Sequence, residues 1–181
     1  MDTLQAAPVT QAMTKAGLAA GTTTTLTQTL GGGATSNIIA IRGKVYSVAA
    51  LANTATPTVD YATGKGFLPV LASMGCVFMV GFSAAGGLKV IQGQVTPLDT
   101  ITVPGNFLFA PNFGALGPLG SVPGAGGDND FCPIGYVVVQ CGATANNTSG
   151  FVFGTNNLSG LTGVTYAFQD ICGTVDRPQV S

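Results

Sequence analysis

The stretch GFLPVLASMGCVFMVGFSAAGGL, residues 66–88, lies between Lys65 and Lys89 and contains no charged side chain. Its 23 residues are long enough for one bilayer crossing, which takes roughly 20 apolar residues as a helix. The same text can also be the centre of a β-protein. Pro69, Gly75, Gly81, Gly86 and Gly87 interrupt it, and the double glycine is a turn signal. Across that turn, VFMVGF at 77–82 is answered by LKVIQ at 88–92, where Lys89 alternates with Leu88 and Val90. Neither side of the stretch carries an aromatic belt or a Lys/Arg excess. The expected structure is therefore a hairpin of strands 76–83 and 88–95, not a membrane span.

Working outward, the lack of charge proves to be general. Charged residues make up 7% of the 181-residue chain, against roughly 25% in an ordinary soluble domain. Glu, His and Trp are absent, the charges are scattered singly, and the net charge is −1. No basic face exists to hold a phosphate backbone, so no nucleic-acid partner is expected. So neutral a surface keeps copies poorly apart in solution, which suits a chain covered by other subunits.

The remaining text reads as strands and turns. Residues 8–20 form the one helix expected, entered at Pro8, capped by Thr10, ended at Gly17 or Gly21, with Val9, Met13 and Leu18 as a sparse apolar stripe. The threonine run at 22–25 favours a strand, and Gly31–Gly33 reads as a joint. A boundary near residue 35 thus separates an N-terminal helix and extended arm, 1–35, from a β-domain, 36–181. Within the latter, 37–41 and 45–50 are apolar runs about Arg42-Gly43-Lys44, a hairpin or bulge signal. A short strand is expected at 99–103, a long Pro/Gly-rich loop at 104–130, and final strands at 133–141, 150–154 and 164–171. Many short strands with glycine turns indicate an all-β fold: a β-sandwich, jelly roll or barrel. The N-terminal text has neither a positive region nor a continuous apolar core of the kind a secretory signal carries.

Chemistry-bearing residues are few. Without His, the usual general base, zinc ligand and triad partner are missing. Ser83 in GFSAA only half matches a nucleophile elbow. Asp128-Asn129-Asp130 lacks the spaced ligands and terminal carboxylate of a calcium loop. The four cysteines, Cys76, Cys132, Cys141 and Cys172, show no Cys-x-x-Cys spacing. Each lies in or beside an apolar run, so reduced, buried thiols are expected, although three pairings are formally possible. No catalytic residue, cofactor or metal is expected, and the chain is not read as an enzyme. The residues expected to meet a partner are Val9, Met13 and Leu18 on the arm and Phe107, Phe109 and Phe113 in the long loop.

Toward the C-terminus, CPIGYVVVQCGAT (132–144), FVFGTNNLSGLTGVTYAFQD (151–170) and DRPQ (176–179) resemble the small neutral virion proteins of tailed bacteriophages. The segments IRGKVYSVAA (41–50) and TPTVDYATGKGF (56–67) fit the same likeness. The resemblance is to head decoration, or cement, proteins. It implies a β-sandwich or jelly roll, homo-oligomeric (dimer or trimer), with the major capsid protein as partner and the capsid surface of the virion, assembled in the bacterial cytoplasm, as location. A tail- or fibre-associated virion protein and a secreted β-sandwich adhesin are the competing expectations.

Overall fold

The computed structural model describes residues 10–98, 131–144 and 150–172. The expected strand at 99–103 and the loop at 104–130 lie outside them. Among the described residues eleven strands are present, arranged in antiparallel sheets. They are β1 (Gln11–Ala12), β2 (Leu18–Ala20), β3 (Thr25–Gln28), β4 (Ser36–Ile41), β5 (Lys44–Ala49) and β6 (Thr54–Ala55). Then follow β7 (Met74–Ser83), β8 (Leu88–Gln92), β9 (Thr96–Pro97), β10 (Phe131–Cys141) and β11 (Val164–Asp170). The fold is all-β, and among the described residues no helix is long and apolar enough to cross a membrane.

The uncharged stretch at 66–88 supplies the central strand. β7 is apolar along nearly its whole length because both of its faces are covered, and every residue from Gly75 to Ser83 is buried. β10 pairs with one edge of β7, while β8 and then β9 share the other. The hairpin turn falls at Ala84–Gly87, where Gly86 takes a φ of +80° and its N–H donates to Ser83 O at 2.8 Å. β8 stops at Gln92, and the chain then bends so that Pro97 faces Met74. Gly81 is demanded by packing: a Cβ there would sit 2.3 Å from Cys132 O and 2.5 Å from the Phe131 ring. Only a side-chain-free residue lets β10 approach so closely.

β4 and β5 form a tight hairpin about Arg42 and Gly43, with φ of 51° and 77°. Positive φ at both central residues is the turn whose twist matches that of paired strands. β1 adds to the other edge of β4, and β2, β3 and β6 make a third small sheet. All three sheets contribute to one core. It includes Ala12 and Leu26, Ile39 and Ile41, and Phe78, Val80, Val137 and Val139, with Phe67, Phe151 and Phe153 packed edge-on or stacked about Phe78. On the opposite face of the large sheet a smaller cluster joins Tyr61, Met79, Ile91 and Phe131.

Two expectations are corrected. The helix at 8–20 is not formed; from residue 10 onward the chain is extended, with β1 and β2 in its place. Its backbone groups are spent on other parts of the chain: Met13 N–H donates to Ile38 O, and Gly17 O accepts the Thr29 N–H. Gly17 takes a φ of +56°, a left-handed residue that breaks a helix, and the sparse stripe offered too little apolar area to resist. The buried side chains are instead Ala12, Ala16 and Leu18. The strand at 150–154 is also absent, since Phe151 makes only an isolated bridge to Val70. Gly154, at a φ of +74°, turns the chain there, and Phe151 and Phe153 serve as plugs of the core.

Candidate interaction surface

Among the described residues, three of the four thiols and Ser83 are held in structural roles. Cys76, Cys132 and Cys141 are buried, Cys172 is exposed, and no disulfide joins them. Burial pushes the Cys76 thiol up to about 11 and the Cys132 thiol to about 12. It raises Cys141 as well, whose Sγ donates to Val70 O at 3.2 Å. A protonated, enclosed thiol is a poor nucleophile and a poor metal ligand. Ser83 closes the β7–β8 turn: its Oγ accepts the Gly87 N–H at 3.2 Å. Among the described residues no three His, Cys, Asp or Glu side chains gather as a metal site. Asp128 and Asp130 lie outside the described residues.

Asp60 is the one buried carboxylate among the described residues, and it organises a loop. Its Oδ2 accepts the Thr63 hydroxyl at 2.6 Å and the Thr63 N–H at 3.2 Å. Its Oδ1 accepts the Gln92 N–H at 3.0 Å, and Tyr61 N–H donates to Val90 O at 2.8 Å. The loop after Asp60 therefore occupies the outer edge of β8 in place of another strand.

That loop continues into an apolar ledge. Leu68 is 65% exposed and Leu71 43% exposed, with exposed Pro69 between Leu68 and buried Val70. The ledge is clamped on both sides. Leu68 N–H donates to Gln92 Oε1 at 2.7 Å, while Gln92 Nε2 returns a bond to Leu68 O at 2.9 Å. Two main-chain bonds, 2.8 and 2.9 Å, join Val70 to Phe151. Two leucines are thus presented to the outside from a backbone fixed by its neighbours, so that ordering this segment would cost little loop entropy in any contact made there.

The residues expected from sequence to meet a partner are dispersed. Met13 is 46% exposed beside β1. Leu18 packs inside the chain's own core, with its Cδ1 against Gly135. Val9, Phe107, Phe109 and Phe113 lie outside the described residues. Leu68 and Leu71 were hidden inside an uncharged apolar run, where periodicity cannot tell inward from outward positions. Pro69 was the available signal, since it keeps that part of the run out of a sheet interior. No family model matches the chain, and neither a curated protein nor a solved structure matches it.

Proposed function

We propose that this chain is a structural accessory protein of a tailed-bacteriophage head, which binds the outer surface of the major capsid protein and stabilises contacts between capsomers. The observation that carries the reading is the fixed apolar ledge at Leu68 and Leu71 on a chain of which only 7% is charged. A neutral subunit with a rigid apolar projection suits binding repeated at many equivalent capsid positions, where modest contacts add through avidity. The likeness of 132–144 and 151–170 to head decoration proteins supports the same reading, as does its expectation of a homo-oligomer.

Under this proposal the fold is a β-sandwich. The β4–β5 hairpin and the large sheet share one core, Ile39 and Ile41 lying in the same cluster as Phe78 and Val80.

The test is co-sedimentation of the purified protein with expanded capsids lacking it. Saturable binding at fixed stoichiometry, with a raised capsid melting temperature, is expected. Failure to bind intact heads overturns the reading, and binding to tails instead would move the protein to the tail.

A further inference from the structure

The edges of the sheets are not treated alike. The outer edge of β8 is occupied by the Asp60 loop. β5 carries Lys44, a charge of the kind that opposes strand addition, and β1, β2 and β6 are only two or three residues long. Among the described residues β11 has none of these protections. It is seven residues long, VTYAFQD, without Pro, Gly or Lys, and β10 is its one strand partner among the described residues. Thr165, Tyr166, Ala167 and Gln169 are exposed. Its single charge, Asp170, already accepts the Leu18 N–H at 3.0 Å.

The register fixes which backbone groups point outward. Ile171 N–H donates to Ile134 O at 2.9 Å and Gly142 N–H to Gly163 O at 2.8 Å. Both bonds continue the β10–β11 register, in which Asp170 faces Gly135 and Val164 faces Cys141. Hydrogen-bonded pairs alternate along an antiparallel ladder. Odd-numbered β11 residues therefore bond to β10, and the N–H and C=O of Tyr166 and Phe168 face away from it. Both side chains stand on the core side of the sheet, with rings 5.8 Å apart in a T-shaped contact.

We propose that β11 is a homodimerisation edge, pairing antiparallel with β11 of a second copy to join two large sheets into one. The strand is complementary to itself. A two-fold axis at Ala167 sets Tyr166 opposite Phe168 of the second copy, so that outward N–H and C=O groups meet their counterparts. It also brings two T-shaped aromatic pairs side by side on one face, a favoured cross-strand combination. No like charges oppose each other, because Asp170 faces Val164. An open edge is a template for a further strand, and the chain itself supplies one that matches. Contact along a single edge is small, which makes a concentration-dependent dimer the expected form.

The proposal deepens the homo-oligomer reading above and rests on that part of it; capsid binding is a separate measurement. Sedimentation velocity of the full chain over a concentration series reads the dimer. Tyr166→Lys, with an unchanged circular dichroism spectrum, should weaken it at least tenfold. In a Cys172→Ser background, Ala167→Cys should cross-link to itself on mild oxidation, because the axis passes through that position. Thr165→Cys in the same background should not, since it faces Gln169 of the second copy. A wild-type chain that stays monomeric overturns both the proposal and the oligomer reading. A dimer that persists in Tyr166→Lys, or that cross-links as readily through Thr165→Cys, overturns the β11 edge and leaves an oligomer built elsewhere.

Discussion

Asp60 accepts the main-chain N–H of Gln92 at 3.0 Å across 32 residues of sequence, so a side chain does the work of a neighbouring strand on the β8 edge. The same carboxylate holds Thr63, and through the Gln92 side chain the arrangement reaches Leu68. One buried acid thus links a sheet edge to the exposed ledge. Asp60→Ala would leave several donors without an acceptor, at a cost of about 2–4 kcal/mol. Urea denaturation should show that loss, and hydrogen exchange should show the Gln92 amide opening far faster. A stability within experimental error of wild type would contradict this role.

Two glycine substitutions separate packing from backbone strain. Gly32 has a φ of +69° and open space around a would-be Cβ, so Gly32→Ala should cost only about 1 kcal/mol. Gly81→Ala drives a methyl group into the Cys132 carbonyl and the Phe131 ring, and should cost about 3 kcal/mol or prevent folding. Thermal melts of the two variants should rank in that order.

The buried thiols predict an alkaline limit. Cys76 and Cys132 are raised from 9.0 to about 11 and about 12 because burial disfavours the thiolate. A group whose folded pKa is raised stabilises fully below its unfolded value and loses that contribution as pH climbs toward the folded value. Stability should therefore be level through neutral pH and fall between about pH 9 and 12. The urea midpoint measured against pH checks this, and Cys76→Ser should weaken the fall. Thiol labelling of the native protein should modify Cys172 first.

The ledge can be altered without touching the core. Leu68→Asp with Leu71→Asp should leave the melting temperature within a degree or two, since both side chains are exposed. Capsid binding, followed by co-sedimentation, should fall at least tenfold. Unchanged binding would remove the ledge from the interface.

Hairpins were the most legible part of the sequence. Arg42-Gly43 and Ala84–Gly87 announce their turns because positive φ and tight chain reversal need particular residues. The extended path of 10–20 was hidden: its strands are two and three residues long and exist only through pairing with β4 and β3. Phe151 and Phe153 read as a strand because apolar alternation marks burial, whatever the backbone does. The surface was harder still. Leu18, expected outward, fills the space left by the missing Cβ of Gly135, while Leu68 and Leu71 point outward from an apolar run. Which side of a chain faces solvent is set by long-range pairing, and a local pattern does not contain it. The open edge of β11 likewise follows from strand order in the sheet, which a linear reading does not supply.

The central claim, a place on the outside of a phage head, is tested most directly by immunogold labelling of assembled virions with antibody against this chain. The account predicts gold distributed over the head surface, lost when heads are stripped of accessory proteins and restored by adding the purified protein. Gold confined to tails or fibres, or virions without label, would contradict it.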